Sequence, residues 1–239
     1  MSENTKALVF AAVLSLVCCV LITAACTGLQ KYQKINAELD RQINIIKSVG
    51  LVEPGKSYKK EDINRLYSDH IVGAWALESG HIAFDDPVNE KGALPLYLYK
   101  EGGVLSAYII PLDSRGLWGR IHGYLALKSD GETIEGFTVF NHAETPGLGG
   151  EIQSDWFGRN FKGKKIVDAN HHFVSISIAK GTAKDRVTPQ EMPNYVDGIS
   201  GATLTGNYLT QGFKETLERF EPLSQELRLH GTSGIRFKE

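Results

Sequence analysis

Cysteine is scarce: Cys18, Cys19 and Cys26 are the three present, and none follows position 26. The rest of the chain therefore has no disulfide framework and no cysteine-ligated zinc or iron–sulfur site. Positive charge is not in excess either. Twenty-six Lys and Arg against 28 Asp and Glu leave a net charge of −2, without the basic footprint that nucleic acid selects. No nucleic-acid partner is expected. Internal repeats and low-complexity tracts are absent, and at 42% hydrophobic and 23% charged residues the composition is that of an ordinary folded protein.

Charge of either sign is missing from Ala7 to Leu29. As a helix this run spans about 34 Å, enough to cross a hydrocarbon core with some tilt. It predicts a membrane-spanning segment, with residues 1–29 as the tail and span. A lipoprotein signal is the competing reading, because Thr23-Ala24-Ala25-Cys26 resembles a cleavage site, but the run is longer than a signal core. Lys6 precedes the run whereas Lys31, Lys34, Arg41 and Lys47 follow it, so a positive-inside count places the following domain in the cytoplasm.

Residues 30–53 keep helical spacing through Ile35, Leu39, Ile43, Ile45 and Ile46, which fits an amphipathic stalk or a helix packed on the core. Gly50 and Pro54 are its expected stop. The remainder, 54–239, reads as one α+β domain. A helix is expected over Glu61–Val72. After Pro87 the period changes to two, giving strands at Leu94–Tyr99, Val104–Leu112, Ile121–Lys128 and Thr133–Phe140. Gly102-Gly103, Asp113–Gly116 and Asp130-Gly131 are the turns between them, the last closing a hairpin. His122 is expected on an exposed face. Gln153–Asn170 reads as a linker, Phe173–Lys180 as a further strand, and the spacing of Leu204, Tyr208, Leu209, Phe213, Leu217 and Phe220 as a closing helix.

Three segments carry more small and turn residues than packing needs. In Ser114-Arg115-Gly116-Leu117-Trp118-Gly119 the indole either plugs the core or lies against a flat ligand. Asn141–Gly150 holds a proline and three glycines, so its backbone can approach a ligand closely. It matches neither the dinucleotide fingerprint nor the triphosphate loop. His142 with Glu144 lacks a third ligand at zinc spacing, and His171-His172 reads as a surface pair, so no metal is expected. In Asp197-Gly198-Ile199-Ser200-Gly201-Ala202-Thr203 a strand-like stretch gives way to the closing helix. Ser200 suits an N-cap, and the N–H groups that follow suit either simple capping or a bound phosphate.

Asp-Gly-Ile-Ser-Gly-Ala-Thr resembles the flavinylation motif of FMN-binding domains, whose last threonine, here Thr203, carries FMN through a phosphoester bond. Thr205 falls outside the motif. Together with Gly-Leu-Trp-Gly, His-Ala-Glu-Thr-Pro-Gly-Leu-Gly-Gly and one N-terminal apolar helix, the chain resembles the C subunit family of Na+-translocating NADH:quinone oxidoreductases along nearly its whole length. The resemblance implies a single transmembrane helix followed by a mostly antiparallel-sheet FMN-binding domain, and covalent FMN attached by a separate Mg2+-dependent flavin transferase using FAD. It implies a cofactor site of Asp197, Ser200, Gly201, Ala202 and Thr203, with Trp118, Glu144, Thr145 and Leu148 beside the isoalloxazine and Lys180 near the cofactor. It further implies an electron relay among the other subunits of a complex that couples NADH oxidation by quinone to Na+ export, in the bacterial inner membrane. The domain would face the periplasm, against the charge count. The G subunit of the ferredoxin:NAD+ oxidoreductase complex shares the threonine motif, and a tethered binding module without a redox cofactor is the reading of another class.

Overall fold

Alternation of apolar and polar residues builds a six-stranded, wholly antiparallel sheet in order β2-β1-β3-β4-β5-β6. Its strands are β1 (Ile71–Ala76), β2 (Ile82–Ala83), β3 (Leu94–Glu101), β4 (Val104–Arg115), β5 (Arg120–Lys128) and β6 (Ile134–Asn141). The computed structural model describes residues 2–53, 55–87, 92–233, 235 and 237. Pro54, expected to stop the stalk, lies outside the described residues. Two compact units result, Met1–Asp40 and Arg41–Glu239.

The first unit is helical from Glu3 onward, within α1 (Glu3–Ser48). Its apolar side chains from Leu8 to Leu29 stand exposed, and the helix is long and apolar enough to cross a membrane. In the second unit the last turns of α1 pack as a core helix: Ile45 and Ile46 are fully buried. Gly50, at φ +75°, then turns the chain so that Leu51 N–H reaches the Ile46 carbonyl at 3.0 Å, a helix stop of the Schellman kind.

The helix expected over Glu61–Val72 is α2 (Lys60–His70). Ile71 and Val72 already belong to β1, since the β-branched Ile71 adopts extended backbone where the helix ends. The turn expected at Asp113–Gly116 moves to Gly116–Gly119, because β4 runs on to Arg115 opposite Arg120. In β5 both faces are covered. Ile121, Leu125 and Leu127 face the main core, yet Tyr124 and Ala126 are buried as well. On that second side Thr138 Oγ1 donates to the Asn44 carbonyl at 3.1 Å, and Gly136 lies so close to Ser48 that a Cβ would meet its carbonyl oxygen at 2.4 Å. His122 is half-exposed, stacked on Phe140, with its Nδ1 3.3 Å from Asp113.

Two further expectations fail. Gln153–Asn170 is no linker: α3 (Asp155–Arg159) and the turn after it bury Phe157, Phe161, Ile166 and Val167. Aromatic spacing, not strand or helix period, is the signal there. Phe173–Lys180 shrinks to β7 (Ser177–Ile178), paired in parallel with β8 (Tyr195–Val196). Ser175, at φ +73°, breaks the alternation and leaves Val174 exposed.

The closing helix α4 (Thr203–His230) lies over the main core face. Ser114 Oγ donates to the Tyr208 carbonyl at 3.0 Å, and Tyr108 shares a 2.7 Å hydrogen bond with Ser224. Contact positions thus fall along β4 as they rise along α4, so the two run antiparallel. Gly212 permits this approach, since a Cβ would meet Ser114 Oγ at 2.1 Å. Phe213 packs with Phe137 and Phe161 at centroid distances of 5.0 and 5.3 Å, contacts that each add about 1 kcal/mol beyond burial.

Candidate functional site

The antiparallel course of α4 on β4 decides where its first residue lies. Thr203 is five residues before Tyr208, about 7 Å beyond the Ser114 contact, at the end of the sheet where β4 meets β5. The Gly116–Gly119 turn is at that end, because Arg115 pairs with Arg120. So is the start of the Asn141–Gly150 loop, because Asn141 pairs with His122. The three segments singled out by composition therefore converge.

Glu144 ties them together. Its side chain is 4% exposed. Oε1 accepts the Trp118 backbone N–H at 3.0 Å, and Oε2 accepts the Thr205 hydroxyl at 2.5 Å. Glycine is required around it: a Cβ at Gly116 would sit 2.6 Å from Oε1, and one at Gly149 would sit 2.6 Å from Thr205 Oγ1. The Glu144 N–H donates to His142 Nδ1 at 3.1 Å, which uses the imidazole locally. Among the described residues, no three His, Cys, Asp or Glu side chains gather in a way that would hold a metal ion.

Ser200 is not the N-cap. Ala202 takes that position with no side-chain capping bond, because Gly201, at φ +75°, turns the chain between Ser200 and the helix. Thr203 is then the first helical residue. The N–H groups of the first turn have no helical carbonyl partner, and that turn carries no acidic side chain. Ser200, Gly201 and Thr203 are exposed and Ala202 is buried. Gly201 touches the glycine loop, as a Cβ there would meet Leu148 Cδ2 at 2.8 Å.

Two threonines two residues apart point about 200° apart around a helix. Thr203 faces out, whereas Thr205 is 2% exposed. Thr205 lies outside the sequence motif, and its role as the partner of a buried carboxylate is legible there only as a helical phase.

Asp197 holds the backbone beneath the motif: Oδ1 accepts the N–H of Ala183 at 2.7 Å. Gly198 N–H donates to the Gly181 carbonyl at 2.8 Å. Lys180 is exposed and lines a small cleft with Thr203, Gly198, Ala202 and Asn207. Trp118 is 68% exposed, so it does not plug the core. Leu117, Leu148 and Leu204 are also exposed, as is Thr145 in the same loop as Leu148. A larger cavity, lined by Lys47, Val52, Phe137 and Arg159, lies away from these motifs between the end of α1, β6 and α3.

Residues 116–218 match the FMN-binding domain family, a span that begins at the Gly116–Gly119 turn and includes Thr203. The C subunit of the Na(+)-translocating NADH-quinone reductase of Vibrio campbellii is 36% identical over 222 residues, covering 81% of this chain and 83% of its own length. Its counterpart in Vibrio anguillarum is 32% identical over 235 residues, covering 89% and 90%. A crystal structure of the C subunit from Parabacteroides distasonis superposes with a TM-score of 0.68 at 27% identity, over 82% of this chain and 96% of that one. The chain therefore belongs to the C subunit family of the Na(+)-translocating NADH-quinone reductases, and its sheet domain contains the FMN-binding domain of that family.

Proposed function

We propose that this chain is the electron-relay subunit of a membrane complex that couples NADH oxidation by quinone to Na+ export, with FMN held by a phosphoester bond to Thr203. The observation that carries the reading is the contrast at the start of α4: an exposed Thr203 hydroxyl on an uncapped helix end, two residues from a threonine already committed to a buried carboxylate.

The residues present fit the group. A phosphodiester keeps one negative charge, and the free N–H groups of the first turn with the positive end of the helix dipole favour it. Thr203 is exposed, so its hydroxyl is open to a phosphate and to a modifying enzyme. Lys180, on the rim of the same cleft, adds a positive charge. The cleft is too small to enclose a flavin ring, so the ring would lie on the open surface of Trp118 and Leu148. FMN supplies one- and two-electron chemistry when bound. The chain's own part is to fix the phosphate, cover part of one ring face and keep the cofactor from dissociating.

Attachment would use the same hydroxyl: on the flavin transferase the Thr203 oxygen would displace AMP from the flavin-side phosphorus of FAD, a P–O–P bond giving way to a P–O–C bond to threonine and the hydroxyl proton leaving with AMP or to a base of the transferase. NADH binding, quinone binding and most of the ion path would belong to other subunits, because the sequence has no nicotinamide fingerprint and the one membrane-length helix among the described residues cannot enclose a pore. The apolar part of α1 anchors the domain, which we place on the periplasmic side.

The test is mass spectrometry of the full chain expressed with a flavin transferase. The expected result is one FMN phosphoryl adduct on the peptide containing Thr203, a fluorescent band on a denaturing gel, and loss of both in Thr203→Leu with an unchanged melting temperature. An unmodified mass, or an adduct that survives Thr203→Leu, would overturn the reading.

A further inference from the structure

Glu144 and Thr205 are among the most buried polar groups of the site, at 4% and 2% exposure, and lie beneath the surface that would meet the cofactor. We propose that they are positioning residues: a carboxylate–hydroxyl clamp that locks the Gly116–Gly119 turn and the Asn141–Gly150 loop onto the first turn of α4. The ring surface and the phosphate seat are thereby set at a fixed spacing before flavin is attached. The inference rests on the reading of Thr203 as the acceptor and assigns the internal support of that site.

Both carboxylate oxygens are engaged within the protein, one by the Trp118 N–H and one by the Thr205 hydroxyl. Glu144 thus acts from beneath the surface and not as a ligand of the ring. Hydrogen bonds to an ionised acceptor are the stronger class and fix direction as well as distance. The clamp spans segments far apart in sequence, with Thr205 61 residues from Glu144 and Trp118 26 residues from it. Each connects to a surface element: Trp118 carries the exposed indole, the Glu144 loop carries Leu148, and Thr205 is two residues from Thr203. The glycines at 116 and 149 are the space the clamp occupies. Placement of a negative group against the first turn of a helix is also favourable in itself.

Thr205→Val keeps the shape of the side chain and removes its hydroxyl donor; Thr205→Ser restores the donor. In the full chain with Thr203 intact and purified flavin transferase supplied with FAD and Mg2+, Thr205→Val is expected to slow flavin incorporation roughly tenfold. Its attached flavin should lose the visible circular dichroism that an asymmetric, fixed ring shows, and Thr205→Ser should recover both. Gly149→Ala, which drives a methyl between the two partners, should act as Thr205→Val does. The Trp118 amide of the unflavinylated wild-type chain should exchange with solvent slowly although its side chain is exposed. Wild-type incorporation rate and flavin dichroism in folded Thr205→Val or Gly149→Ala, or rapid exchange at the Trp118 amide, would overturn the clamp. These outcomes are separable from failure of the Thr203 assignment, which would appear in the wild-type chain as flavin on another peptide.

Discussion

The meander from Leu94 to Asn141 and the stretch from His142 to Ala202 are built on opposite terms. In the meander, ladder hydrogen bonds set the backbone and side chains only choose a face, as the registers of β3 to β6 show. In the second stretch the longest regular pieces are five residues, and side chains set the backbone. Asn194 Nδ2 donates to the carbonyls of Lys165 and Val167 at 2.8 and 2.9 Å. Asp197 accepts from Ala183, and Thr210 Oγ1 accepts the Ile178 N–H at 2.9 Å. The candidate site forms where this stretch meets the end of the sheet: the exposed indole of Trp118 comes from the β4–β5 turn of the meander, and the Thr203 hydroxyl and first-turn N–H groups come from the helix that the stretch leads into.

Irregular is not the same as loose, and the largest predicted effect tests that. Phe161 lies in the second stretch but is fully buried, packed 4.7 Å from Phe137 of the sheet and 5.3 Å from Phe213 of α4. Phe161→Ala should cost about 3–5 kcal/mol, read as a lower denaturation midpoint with one transition shared by both regions. Two separate transitions in wild type or variant would show the stretch to be an independent layer.

Gly198→Ala sharpens the same point at the level of backbone. The Cβ would lie 2.0 Å from the Ala179 carbonyl oxygen, a main-chain atom with no rotamer to turn away. The expected cost is about 1–3 kcal/mol, with amide exchange increased at position 198 and at Ala183, whose N–H groups donate to the Gly181 carbonyl and to Asp197. A gain or no change in stability would mean that the motif backbone shifts freely.

These terms explain what can be read in the sequence. The four strands of the meander are legible because period-two alternation and glycine turns are local signals. The Asp197–Thr203 and His142–Gly150 segments stand out because small residues beside few polar ones are rare in packing. Within the second stretch, Gln153–Asn170 reads as a linker because Phe157 and Phe161 bury themselves through tertiary contacts that follow no strand or helix period. β1 is hidden because Ile71 and Val72 continue the helical spacing of Ile63, Leu66 and Tyr67, and only the backbone at Ile71 reveals the change. Ser200 has the composition of a cap, but the left-handed turn at Gly201 moves the helix start two residues on.

The smallest effect concerns how the second stretch is fastened to the β5–β6 turn. Glu132 is nearly buried, and burial pushes its carboxyl up. Hydrogen bonds from His171 and Lys165, together with their charges, outweigh that and leave it below the ordinary range. Lys165 Nζ lies 3.2 Å from Oε2, and His171 pairs with Oε1. A carboxyl lowered on folding contributes stability above its unfolded value of about 4.3 and loses it as pH falls through the lowered folded value. Because His171 is exposed and Lys165 half-exposed, solvent screens the pair and the contribution should be at or below about 1 kcal/mol. Glu132→Gln should therefore lower the melting temperature slightly at pH 7, and its deficit relative to wild type should shrink as pH is lowered below about 4. A deficit that stays constant with pH would assign the effect to shape and hydrogen bonding alone, and one that grows on acidification would reverse the sign of the linkage and detach this ion cluster from the fastening of the irregular stretch.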